Sequence, residues 1–271
     1  MKNALFLLFF ILTYIEAQER IVSLSPSITE ILYALGRGDA LVATSSYSLY
    51  PQEAKKLPII GGYTSPNIEK ILSHRPTVVI GQSFNANTLE KLHHFQIKTY
   101  RVQLKTLQDI QNTIKKLGDI FHKEAVAKAL IKDITDALTQ TPKTQTPHSV
   151  MIVYGLKEDL RSGIYIAGEG IFFDDIIRAS GNTNAYRDSS TAQPVLGYEN
   201  VIALNPDSII ILHSHATEPN VDVANALKSW YALPTNASKN RHITVIDEDY
   251  LHIPSHRVAL TIKKLMEAMD D

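Results

Sequence analysis

Short apolar runs alternate with amphipathic helical stretches along most of the chain. Residues 20–24 form an apolar strand that ends at Ser25-Pro26. Residues 29–35 follow with helical apolar spacing and stop at Gly36, a helix-ending residue. Residues 41–44 read as a second strand. Ser65-Pro66 reads as the start of another helix, with Ser as N-cap and Pro in the first helical position. That helix carries Ile68, Ile71 and Leu72 and ends before Pro76. A strand at 78–81, a helix at 89–95 and a strand at 98–102 continue the series. This alternation predicts a parallel α/β layer fold.

The middle of the chain departs from it. Leu107, Ile110, Ile114 and Leu117 keep a helical period, and so do Val126, Leu130, Ile134 and Leu138. The second of these helices is on the order of 25 Å long. Residues 141–147 form a polar, Pro-bearing linker. The alternation then resumes, with strands at 150–154, 208–212 and 244–246 and helices at 172–179, 198–204 and 256–269.

The second half echoes the first. Glu69, Ile71, Leu72, Pro76, Val79 and Ile80 recur as Glu199, Val201, Ile202, Pro206, Ile209 and Ile210 at a constant offset of 130. A weaker echo pairs Glu30-Ile31-Leu32 with Asp175-Ile176-Ile177. The expected organisation is therefore two Rossmann-like α/β lobes joined by a long helix, which the family resemblance given below implies is rigid. Residues 18–105 make the first lobe, 106–140 the connecting helices and 141–271 the second lobe. Ligands favour such an interlobe cleft and the C-terminal ends of parallel strands.

The first residues carry a different pattern. Lys2 precedes a mostly apolar run at 4–15, and Glu16-Ala17-Gln18 breaks it. The run is shorter than the roughly 20 residues of a membrane span and within the range of a signal-peptide core. Residues 1–17 are thus expected to be a removable leader, with a buried N-terminal helix or an uncleaved anchor as the alternative.

Composition narrows the chemistry. The net charge of -1 argues against a basic nucleic-acid binder. The absence of Cys excludes disulfides, thiolate zinc sites, iron–sulfur ligation, a cysteine nucleophile and a lipoprotein anchor. Export without Cys fits a soluble periplasmic protein that is free of lipid. The sequence has no phosphate loop, no nucleophile elbow and no H-E-x-x-H pair. Gly36-x-Gly38 and Gly168-x-Gly170 lack the third glycine of a dinucleotide fingerprint.

What remains is a set of side chains in loops at strand ends. Tyr47, Tyr63, Phe84, Tyr165 and Gln193 suit a large planar ligand. Each Tyr alone reads first as a half-buried surface aromatic; it is the group, in loops of both halves, that points to a ligand. His213 and His215 follow a strand and suit a metal or an axial position, or simply a polar loop. His93 and His94 fit a favourable contact at a helix end. Glu69 and Glu199 open equivalent helices, where dipole complementarity explains each one singly.

Four segments together resemble the periplasmic substrate-binding proteins of metal-chelate importers. They are residues 20–30 (RIVSLSPSITE), 45–51 (SSYSLYP), 62–72 (GYTSPNIEKIL) and 75–80 (RPTVVI). The likeness continues through residues 249–257 (DYLHIPSHR) and is closest to the cobalamin-binding branch; haem- and ferric-siderophore-binding relatives share the scaffold. The resemblance implies a non-catalytic, monomeric receptor without an intrinsic cofactor. Its bound ligand is a cobalamin-type corrinoid, with haem or a ferric siderophore as the alternative. Its partners are an inner-membrane ABC permease and that permease's ATPase.

Residue by residue, the resemblance implies ligand contacts at Tyr47, Tyr63, Tyr165 and Asp249, and permease docking by Glu69 and Glu199. Gln193 and Tyr63 stand where the cobalamin binder has Trp. Tyr63 is also a candidate haem ligand, and Arg161, Arg187 and Arg257 are candidates for anionic chelates. A reading from another class is a metal-dependent enzyme or metal-storage protein built on His213, His215 and Asp249.

Overall fold

The computed structural model describes residues 19–140, 143–214 and 221–270. The expected leader, Thr141-Pro142 of the linker and His215 lie outside the described residues. In the first lobe, β1 (Ile21–Ser23), β2 (Leu41–Ala43), β3 (Val78–Gln82) and β4 (Lys98–Val102) form a parallel sheet in the order β2-β1-β3-β4. Helices α1 (Pro26–Ala34), α2 (Ile68–Ser73) and α3 (Ala86–His94) connect them. Next come α4 (Leu107–Ile120) and the 17-residue α5 (Glu124–Gln140).

The second lobe contains β5 (Ser149–Tyr154), β6 (Ile164–Ile166), α6 (Phe172–Ala179), β7 (Thr183–Asn184), β8 (Val195–Leu196), α7 (Tyr198–Leu204) and β9 (Ser208–His213). It closes with α8 (Val223–Tyr231), α9 (Asn236–Asn240), β10 (Ile243–Asp247) and α10 (Val258–Asp270). Its parallel strands run β7-β5-β9-β10, the order of the first sheet repeated. The echo at offset 130 is structural: α2 and α7, and β3 and β9, begin 130 residues apart. The second lobe differs by β6, which pairs antiparallel with the Val153–Tyr154 end of β5, and by β8 beside it.

Strand alternation divides the core. Val78 and Ile80 of β3, Val150 and Ile152 of β5, and Ile210 and Leu212 of β9 face one cluster shared by both lobes. Ile110, Ile114 and Leu117 of α4, Ile134 of α5, and Ile262 and Leu265 of α10 complete it. Val79 packs into a separate cluster on the outer face of the first sheet, and Ile209 and Ile211 into one on the outer face of the second. A close-packed apolar core that continues from lobe to lobe opposes large hinge motion.

Several boundaries differ from the sequence reading; α3, for example, begins at Ala86 and not at 89. α1 starts at Pro26, because Ser25 Oγ accepts from Ile28 N at 3.3 Å. α2 starts at Ile68 under Asn67, whose side chain accepts from Lys70 N at 2.8 Å; Pro66 instead bridges to Gly61. α10 begins at Val258, which leaves His256 and Arg257 outside the helix.

Candidate functional site

A cleft of about 620 Å³ opens between the lobes. Its first-lobe wall carries Tyr47, Leu49 and Tyr50, and its second-lobe wall Tyr154, Tyr165, Gln193, Ser214, Asp249 and His252. Tyr154 ends β5, Ser214 follows β9 directly, and Asp249 and His252 lie in the loop after β10. Ligand-facing groups at the carboxyl ends of parallel strands are what an open α/β sheet provides.

The Tyr47 loop rests on buried hydroxyls. Thr29 Oγ1 lies 2.6 Å from Thr44 Oγ1 and donates to Ser23 Oγ at 2.9 Å, and Thr44 Oγ1 lies 2.8 Å from Ser48 Oγ. These contacts satisfy polar groups that burial would otherwise penalise. They hold the loop while the Tyr47 ring stays 63% exposed. Tyr47 itself has a left-handed backbone, φ 65°.

Glu30 on α1 is only 2% exposed and binds Arg257 across the lobes. Arg257 Nε donates to Glu30 Oε2 at 2.9 Å, a second guanidinium nitrogen meets Oε1, and the Ser255 hydroxyl also donates to Oε2. The guanidinium carbon lies 4.0 Å from the Tyr50 ring centroid and 5.6 Å from that of Tyr250. In the weaker sequence echo Glu30 pairs with Asp175, and Asp175 also bridges elements: its Oδ2 accepts from Leu107 N, the first residue of α4, at 2.8 Å.

The second-lobe wall mixes aromatic and polar side chains. Tyr154 packs edge-on against Phe173 at 5.7 Å and tilted against His252 at 5.7 Å. Burial pushes its hydroxyl pKa well above the ordinary tyrosine value, despite a hydrogen bond from Gln193. Burial also lowers the His252 pKa, which keeps the imidazole neutral at pH 7. Ser214 Oγ donates to Asp249 Oδ1 at 2.6 Å. Lys157 Nζ donates to the Gly163 carbonyl at 2.8 Å and lies 4.8 Å from the Tyr165 ring centroid.

The fold brings Tyr47, Tyr165, Gln193 and Asp249 of the sequence candidates into this cleft. Tyr63 and Phe84 do not line it. They pack edge-on against each other at 6.0 Å on the first lobe, 44% and 53% exposed, where Asn85 Nδ2 donates to the Tyr63 carbonyl at 2.8 Å. His213 is fully buried, with Nδ1 3.1 Å from Asp247 Oδ1. Strand alternation puts it on the side of Ile209 and Ile211, and it does not line the cleft. Among the described residues no group of three or more His, Asp or Glu is arranged to hold a metal ion.

Glu69 and Glu199 are both exposed in the first turns of α2 and α7. Arg257 is a lobe tie, whereas Arg161 is exposed and paired with Asp159. Sequence reasoning missed Glu30, Tyr154, Ser214 and His252 as cleft residues. The available signal was position: Tyr154 and Ser214 sit where parallel strands end.

Residues 21–250 match the family model described as periplasmic binding protein. The chain belongs to the periplasmic binding protein family. It is a substrate-binding protein of the kind that serves ABC importers, and not an enzyme. This binding protein is 31% identical to the vitamin B12-binding protein of Vibrio vulnificus (strain CMCP6), over 98% of this chain and 95% of the relative. Among solved structures it resembles the periplasmic vitamin B12 binding protein of Vibrio cholerae, with a TM-score of 0.78, 28% identity and coverage of 93% and 96% of the two chains. It also resembles the periplasmic heme-binding protein of Roseiflexus sp. RS-1 in apo form, with a TM-score of 0.75, 26% identity and coverage of 93% and 97%.

Proposed function

We propose that this protein is the periplasmic receptor of an ABC importer for a cobalamin-type corrinoid. The carrying observation is the make-up of the cleft: exposed aromatic rings on both walls, hydrogen-bonding groups at Gln193, Ser214 and Asp249, and an arginine already neutralised by Glu30. A large, nearly uncharged macrocycle fits such a surface by flat contact and rim hydrogen bonds. The vitamin B12-binding relative supports the same ligand class.

On this reading residues 1–17 are a leader removed on export, and the mature receptor works as a monomer in the periplasm. Residues 18–105 and 141–271 form the two lobes, joined by the helices of 106–140. Glu69 and Glu199, one exposed acid per lobe, dock on the permease, whose ATPase drives uptake. Thermal-shift screening across cyanocobalamin, haemin and ferric siderophores tests the ligand. Cyanocobalamin should raise Tm at micromolar concentration, and a panel in which only haemin or a siderophore does so would overturn the corrinoid reading.

Haem is the second reading. It is favoured by the exposed Tyr63 phenol, which is open to an incoming ligand, and by the likeness to a heme-binding protein. A Soret band that shifts with the wild type and is lost in Tyr63→Phe would support it; no shift with the wild type would remove it.

A further inference from the structure

Two lysines line the cleft from opposite lobes. Lys55 belongs to the short helical turn Gln52–Lys56 that follows Tyr50 on the first-lobe wall. Lys157 lies three residues beyond the end of β5 on the second-lobe wall. Together with Arg257 they give the cleft three cations, against the carboxylates of Glu30 and Asp249. Glu30 is bound to Arg257, and among the described residues neither lysine is in an ion pair with a carboxylate.

Lys157 is half-buried and held in place without being neutralised. Its Nζ donates to the Gly163 carbonyl at 2.8 Å and lies 4.8 Å from the centroid of the exposed Tyr165 ring. An ammonium carries three donors, so one carbonyl leaves two for a ligand. A ligand in contact with Tyr165 is therefore within reach of a fixed positive charge. Lys55 is exposed on the other wall, at the end of a long side chain that can move to meet the same ligand. Uncharged edge groups of a macrocycle draw little from two ammonium charges. A phosphate does: it is negative, and its non-bridging oxygens can accept from both lysines at once. Lysine binds phosphate as a point charge and needs no planar fork to do so.

We propose that Lys55 and Lys157 bind the phosphate of a corrinoid's nucleotide loop from opposite walls of the cleft, so that the protein prefers corrinoids that carry this phosphate to those that lack it. The inference rests on the corrinoid reading above and makes the two lysines specificity-determining residues within it.

The test is calorimetry of the whole protein, in phosphate-free buffer, with cyanocobalamin, dicyanocobinamide and dicyanocobinamide phosphate. The last two differ only in the phosphoryl group, so their ratio isolates recognition of the anion from contacts to the nucleotide base. The phosphate should bind at least about tenfold more tightly than cobinamide, the scale of one charge-assisted hydrogen bond. The double variant Lys55→Gln, Lys157→Gln, which removes both charges, should bring that ratio close to one by weakening binding of the phosphate. Equal affinity of the wild type for the two, or a ratio that the double variant leaves unchanged, overturns the proposal while leaving a corrinoid receptor in place. Failure of all three corrinoids to bind overturns both.

Discussion

Arg257 and Glu30, 227 positions apart, form a two-pronged ion pair at the base of the interlobe cleft, with Nε 2.9 Å from Oε2. A buried pair of this kind gives little net stability over a well-packed apolar pair, but breaking it is costly. Glu30→Ala should therefore destabilise the protein by about 3–5 kcal/mol, because it strands a guanidinium between Tyr50 and Tyr250. Urea unfolding of the purified variant reads this directly. A loss within the range of an ordinary surface ion pair would mean that the pair is solvated in solution.

The Tyr47 ring is exposed and held by a loop that its own side chain does not stabilise. Tyr47→Ala should weaken ligand binding by about 1–2 kcal/mol, roughly tenfold, from lost aromatic contact. Its Tm should stay close to wild type. Parallel losses of affinity and Tm would show that the ring packs into the fold.

His256 gives the fold a pH dependence of defined sign. Burial, with the Arg257 charge adding to it, lowers its pKa from 6.5 to about 4. The unfolded chain takes up a proton near pH 6.5 while the native state resists it, so unfolding binds protons in between. Stability from this residue is complete above about pH 6.5, falls as the pH drops, and levels off below about pH 4. The total is up to about 3 kcal/mol. His252, whose pKa is also lowered by burial, adds in the same direction. His256→Gln should flatten the stability–pH curve between those limits, and an unchanged curve would contradict the assignment.

Glu69 and Glu199 stand on structurally equivalent helices, outside the cleft. The double variant Glu69→Lys, Glu199→Lys should bind ligand as wild type does and abolish uptake in cells that carry the cognate importer. Undiminished uptake would contradict the docking role.

Much of this fold was legible because periodicity is a local property. The strand at 98–102 and the helices at 172–179 and 198–204 appear where their apolar spacing puts them. The equal offset of Glu69 and Glu199 reported the internal repeat. What escaped depends on contacts distant in sequence. β6 and β8 are short antiparallel additions: β6 pairs with the Tyr154 end of β5, and β8 pairs with β6. Glu30 looked like an ordinary helical acid, since nothing nearby in sequence reveals Arg257. Tyr47 was accessible as a loop residue after a strand and Asp249 through the family resemblance, whereas Tyr165, read as a loop residue, stands in β6. His213 misled because the residue that ends a strand faces the cleft or the core according to its parity, and here parity turns it toward Ile211.

The central claim is that the cleft takes a corrinoid. Isothermal titration of the protein, residues 18–271, with cyanocobalamin tests it most directly. One molecule should bind per chain, with heat that Tyr47→Ala diminishes. No heat at saturating cyanocobalamin, together with an unshifted Tm, would contradict the account.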